Sequence, residues 1–157
     1  MYTGPLMGFD TETTGVHVYD DGTRIVTCAM ILENSPEEPP KVLEWIMDPE
    51  IEIPTGASDV HGITTEMARA QGMDYHTGLQ QIADTLKYII EQGIPTTAYN
   101  GSFDATLLRV EFRDRGIDFD EKLWDNLIMI DPLMMDKFID KFRKGKRTLS
   151  VVSEIYG

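Results

Sequence analysis

A mixed α/β sheet covered by helices is the fold class this sequence predicts, on three observations. Short apolar runs bounded by turn residues come first, at residues 6–9, 24–33 and 41–47. A helical stripe then takes over at 77–92. Beyond it, short strand-like segments alternate with helical ones. Strands in a meander followed by strand–helix alternation suggest a mixed sheet with helices packed on it.

Each element has its own warrant. Residues 6–9, Leu-Met-Gly-Phe, are an apolar run that reads as a buried strand. Residues 24–33 and 41–47 read as strands joined by the Pro- and Glu-rich turn at 35–40. Thr64 has N-cap character and starts a short helix with Glu66 and Met67. Leu79, Ile82, Ala83, Leu86, Ile89 and Ile90 recur at helical spacing and stop at Gly93, which marks core packing. Residues 95–99 read as the next strand. The helix after it runs to Gly116, with Leu107, Leu108, Val110 and Phe112 on an apolar face and Arg109, Glu111, Arg113 and Asp114 on a polar one. Residues 127–130 read as the last strand, and Asp131-Pro132 opens another helix. Internal repeats and low-complexity segments are absent, and nothing in the sequence suggests a second domain.

The stretch Asp10-Thr11-Glu12-Thr13-Thr14-Gly15 ends the first apolar run. Side chains alternate along a strand, so Asp10 and Glu12 project to the same side. Two adjacent carboxylates in an apolar setting repel and are costly to desolvate, unless a divalent cation neutralises them. Oxygen ligands suit Mg²⁺ or Mn²⁺ rather than zinc. The plain alternative is a strand end with solvated acids and a Thr-Thr-Gly turn. A second segment, Asn100-Gly101-Ser102-Phe103-Asp104, opens a run with helical spacing. Asp104 then sits near a helix start, where the backbone amides favour anions. Its alternative is an ordinary helix-terminus acid.

Taken in order, these segments resemble a family. Asp10-Thr11-Glu12-Thr13-Thr14-Gly15 resembles the first motif of the DEDD-type 3′→5′ exonucleases, in the branch of the epsilon proofreading subunit of bacterial DNA polymerase III. Asn100-Gly101-Ser102-Phe103-Asp104 is similar to that family's second motif. Ile53-Pro54 and Val60-His61-Gly62-Ile63-Thr64 resemble a loop the branch carries between its third strand and the next helix. Ile130-Asp131-Pro132-Leu133 resembles the later strand-to-helix passage, and Arg147-Thr148-Leu149 through Ile155-Tyr156-Gly157 the helix leading to the third motif. The resemblance implies a ribonuclease-H-like fold with the acids gathered at the central strand.

It also implies two-metal phosphodiester hydrolysis with Mg²⁺ or Mn²⁺, releasing nucleoside 5′-monophosphates. Asp10 would bridge both ions, Glu12 would hold the nucleophile-side ion, and Asp104 would bind the other. Thr13, Thr14 and Phe103 would lie beside the terminal nucleotide, with Asn100 near the sugar or phosphate. Turn chemistry for Thr13 and Thr14, and core packing for Phe103, stand as alternatives. His61, between the motifs, is a candidate substrate contact; without nitrogen or sulfur partners it reads as a loop-ordering residue rather than a metal ligand. Tyr99 stands where the family often has His.

The third motif should supply a general-base His or Tyr and a final metal-binding Asp. His17, His61 and His76 all precede the second motif, and no Tyr after Asp104 has a suitably spaced Asp. The expectation is a single exonuclease-like domain over 1–157, truncated before that segment.

Composition fits an intracellular, cytoplasmic domain: 157 residues, 41% hydrophobic, with the lone Cys28 inside an apolar stretch and no disulfide framework. No signal peptide is visible, and no apolar run nears the roughly 18 residues of a membrane span. A net charge of −13 is opposite to the basic footprint of most nucleic-acid binders. The domain is therefore expected to hold a few terminal nucleotides, with affinity added by a partner such as a DNA polymerase subunit. One basic cluster, Lys137, Lys141, Arg143, Lys144, Lys146 and Arg147, either steers a phosphate backbone or is solvated surface. Three functions follow: an exonuclease on single-stranded DNA 3′ ends, an RNA exonuclease of the same superfamily, or a non-catalytic nucleic-acid-binding module.

Overall fold

The computed structural model describes residues 3–19 and 22–156. Three strands open the fold: β1 (Leu6–Thr13), β2 (Ile25–Glu33) and β3 (Lys41–Ile46). They form an antiparallel meander, and two short strands, β4 (Thr96–Thr97) and β5 (Met129–Ile130), add to the other side of β1 in parallel. The sheet order is β3-β2-β1-β4-β5, which makes β1 the central strand. This is the mixed α/β sheet that the sequence predicts.

The register separates the two faces. Phe9 pairs with Met30 and Met30 with Leu43, while Thr11 pairs with Cys28 and Cys28 with Trp45. Met7, Phe9, Cys28, Met30 and Trp45 are all buried in the main core. The intervening residues face the other way. Gly8, Ile31 and Val42 lie across from one another, as do Asp10, Ala29 and Glu44. Ile31, Val42 and Asp10 are exposed. Strict period-two alternation explains the difference.

Helix α1 (Thr55–His61) and helix α2 (Thr65–Gln71) follow β3. The Thr64 hydroxyl accepts from the Met67 amide, the N-cap bond its sequence predicts. Helix α1 departs from the loop that the sequence suggests around 53–54 and 60–64, taking in Val60 and His61. It buries none of its residues, so no apolar stripe announces it.

Helix α3 (Tyr75–Glu91) is the main core helix, capped by the Asp74 carboxylate on the Thr77 amide. Its fully buried Leu79, Ile82, Ala83 and Ile89 pack under the sheet. Each large aliphatic removed from water contributes about 1.5–3 kcal/mol. The approach is close: a Cβ at Gly78 would meet the Met47 sulfur at 2.4 Å.

Helix α4 (Gly101–Asp114) packs against β1 and α3. A Cβ at Gly101 would come within 2.8 Å of Ala98 Cβ, so the Asn-Gly corner requires its glycine. The polar face predicted for α4 needs one correction. Glu111 is buried, where its carboxylate accepts from Tyr75 Oη at 2.7 Å. A 3-10 helix (Glu121–Asn126) precedes β5, then come α5 (Pro132–Ile139) and α6 (Leu149–Tyr156). Gly157, named in the last predicted segment, lies outside the described residues. Among the described residues no helix is long and apolar enough to cross a membrane.

Candidate functional site

The first motif occupies the end of β1, and the ladder to β2 shifts register between Glu12 and Thr13. Such a bulge bends a strand and re-aims the side chains beside it. Asp10 and Glu12 project from the solvent-facing side of the sheet, and burial raises both carboxyls. For Glu12 the charge of Asp10 adds to burial, while His61 acts the other way. The pair that the strand periodicity predicts is thus present on one face, and the two acids repel.

Asp104 comes from the other layer. It sits in the first turn of α4, 5% exposed, and Thr11 Oγ1 donates to its carboxylate. Thr11 is on the covered face of β1, between Asp10 and Glu12 in sequence and opposite to them in direction. Burial pushes the Asp104 carboxyl up to about 6, and the charge of Asp10 adds to that; the Thr11 hydrogen bonds only partly offset it. The sequence reading assigned Thr11 no part, although its alternation already pointed it at the helical layer.

Among the described residues no three His, Cys, Asp or Glu side chains converge as a ligand set. Asp10 nevertheless perturbs both Glu12 and Asp104, acids from two separate motifs. An all-carboxylate donor set with unbalanced negative charge suits a hard divalent cation. The Thr11 hydroxyl is the group that partly satisfies Asp104.

The turn after β1 is held by its own threonines. Thr13 Oγ1 donates to the Gly15 carbonyl at 2.6 Å. Thr14 is buried; its hydroxyl donates to the Gly22 carbonyl at 3.1 Å and accepts from the Arg24 amide at 2.9 Å. The Thr14 side chain thus ties the motif to the start of β2. Across from it, His61 closes α1, and its Nδ1 accepts from the Ile63 amide at 3.1 Å. That bond orders the following turn, while His61 Nε2 is buried without a partner. Glu12, Thr13 and Thr14 on one wall and Ala57, Val60 and His61 on the other line an open cleft of about 290 Å³.

The second motif is anchored from α5. Asn100 adopts a left-handed conformation (φ 59°) and is exposed, with its amide donating to Asp131 Oδ1 at 3.0 Å. Gly101 donates to the same carboxylate at 3.1 Å. Asp131 also caps α5 at the Leu133 amide, so one side chain joins two helix starts. Phe103 is half-buried and packs against the core. Tyr99 Oη donates to the Arg147 carbonyl, a polar contact at the position where the family often has His.

Solved structures share this arrangement of strands and helices. E. coli exonuclease I in complex with a 5cy-dA13 oligonucleotide matches with a TM-score of 0.68 at 20% identity, over 94% of this chain and 33% of that one. The same enzyme in complex with a dT13 oligonucleotide gives 0.64 at 19% identity, over 94% and 32%. A product-bound exonuclease I gives 0.66 at 19% identity, over 95% and 35%. The fold is ribonuclease-H-like. This chain spans about a third of the length of those structures. No protein-family model and no curated protein matches the sequence.

Proposed function

We propose that this chain is a metal-dependent 3′→5′ exonuclease domain acting on single-stranded DNA, of the type used in proofreading or repair. The observation that carries this reading is the placement of Asp10 and Glu12 on the central strand of a ribonuclease-H-like sheet, with Asp104 in the first turn of the helix packed against that strand. The solved neighbours, which include exonuclease I with bound oligonucleotides, support the choice of substrate.

Asp10, Glu12 and Asp104 would hold Mg²⁺ or Mn²⁺. When bound, such ions activate water and stabilise the leaving oxygen of a phosphodiester. The chain's own residues do the rest. The bulge after Glu12 sets the direction of the acids, and the cleft between Thr13 and His61 is the place for the terminal nucleotide. Because His61 Nδ1 accepts from the Ile63 amide, Nε2 carries the ring proton and would donate to the substrate there. Phe103 offers an apolar wall and Asn100 an exposed polar group beside the second motif. A role under a polymerase partner of the epsilon type, in the cytoplasm, completes the reading.

A second reading has its own observation. The Asp104 carboxylate is engaged by Thr11 instead of meeting Asp10 and Glu12 at one point, as a binding module without turnover would have it. Cleavage of 5′-labelled single-stranded DNA and RNA in Mg²⁺, Mn²⁺ or EDTA separates the two. The exonuclease reading expects a metal-dependent ladder, stronger on DNA, that disappears in Asp10→Ala while the fold persists. Oligonucleotide binding with no shortening in any metal would support the module.

A further inference from the structure

We infer that the segment from the end of α5 to the start of α6 is a second contact for single-stranded DNA. The inference rests on the nucleic-acid reading above and adds a surface to it. The chain as a whole is strongly acidic, with a net charge of −13. Residues 132–148 reverse that, carrying six of the chain's 14 basic residues against two acidic ones.

The six cations do different jobs. Arg143 and Arg147 both pair with the buried Asp136 carboxylate, and each is only 15% exposed. Lys137, Lys141, Lys144 and Lys146 are exposed, and among the described residues none of them lies within ion-pair distance of a carboxylate. The internal arginine pairing gives this free charge a fixed base.

Two aromatic rings stand among those lysines. Phe138 is 88% exposed and Phe142 87% exposed, and the Lys141 ammonium sits 5.9 Å from the Phe142 ring centroid. Large apolar rings are rarely left so open without a partner. Exposed rings set among lysines match what an unpaired strand offers, base faces for stacking and phosphates for ion pairing. A paired duplex hides its base faces, and an apolar protein partner would leave the lysine charges unanswered. The surface is also joined to the candidate site: Tyr99 donates to the Arg147 carbonyl, and Asp131 ties the start of α5 to Asn100 and Gly101. Strand held here would enter the site beside the second motif.

The test is fluorescence anisotropy of the 157-residue chain with a labelled oligothymidylate of about 16 nucleotides, a length suited to aromatic single-strand sites. It is run in EDTA, so turnover plays no part. Phe138→Ala with Phe142→Ala is expected to weaken binding about tenfold or more, from the loss of base stacking. Trp at both positions is expected to restore it, which a general loss of folding would not allow. Lys137→Gln with Lys141→Gln is expected to reduce the slope of log affinity against log salt by about 1.4. Unchanged affinity in the Phe variant overturns the inference, as does failure of the unaltered chain to bind. So does a shift in oligomeric state with no change in DNA affinity, which would assign the surface to a second copy. Binding that depends on these residues supports the inference even if the chain cleaves nothing. Cleavage with unchanged affinity in the variants would keep the exonuclease reading and remove this surface.

Discussion

Two buried aspartates in this molecule have opposite fates. Asp136 is 1% exposed and Asp104 is 5% exposed. Burial by itself would push the Asp136 carboxyl up, but hydrogen bonds and charge from Arg147 and Arg143 hold it below the usual carboxylate range. Asp104 has a threonine hydroxyl and another acid for company, and stays raised to about 6. Glu111, buried on the same helix as Asp104, is also raised by burial, with Tyr75 and Arg24 working against that. Only Asp136, with two arginines on its carboxylate, is held in its charged form; Glu111 and Asp104 both stay raised by burial.

Removing the compensated acid should cost most. Asp136→Asn leaves Arg143 and Arg147 without their shared carboxylate, and stability in urea is expected to fall more than in any of the other variants. In the intact protein this group works in the ordinary direction for an acid. Its folded pKa lies below the unfolded one, so its contribution is present above the unfolded pKa and is lost as pH falls through the folded one.

Asp104 should behave with the opposite sign. Its folded pKa of about 6 exceeds the ordinary 3.8, so the folded state binds more protons than the unfolded state between them. Without metal, stability is therefore expected to fall as pH rises from about 4 through 6, levelling off above that, by as much as ~3 kcal/mol in all. Asp104→Asn should flatten that slope and raise stability at neutral pH in EDTA. Urea titrations at several pH values read both effects. A destabilised Asp104→Asn would make Asp104 a structural acid like Asp136 and end the comparison.

Tyr75→Phe is the smaller control. The hydroxyl links the Ile25 amide at 3.1 Å to the Glu111 carboxylate at 2.7 Å, inside the core and away from the candidate site. Its loss is expected to cost about 1–3 kcal/mol. Metal affinity measured by titration should stay as it was.

How far the sequence carries depends on whether the signal is local. Strands β1 to β3 and helix α3 are legible because period-two and 3.6-residue spacing are short-range. Helix α1 and the 3-10 helix at Glu121–Asn126 are not, since neither has a buried residue to leave a stripe. The strand read at 95–99 narrows to Thr96–Thr97, where pairing to β1 and β5 coincides. The Asp10 and Glu12 pair is legible for the same local reason. What Asp104 meets is not, because Thr11 lies 93 residues away. The basic cluster at 137–147 was also only half legible. Composition shows six cations, and only the fold shows that two of them belong to Asp136.

The central proposal is that Asp10, Glu12 and Asp104 together hold a divalent cation. The most direct measurement is the melting temperature of the chain with and without saturating Mn²⁺, beside Asp10→Ala and Asp104→Asn. At about a hundred times the dissociation constant, Mn²⁺ should add roughly 2.7 kcal/mol of stability to the unaltered chain and much less to either variant. A melting temperature that Mn²⁺ leaves unchanged, or raises equally in all three proteins, would contradict the claim.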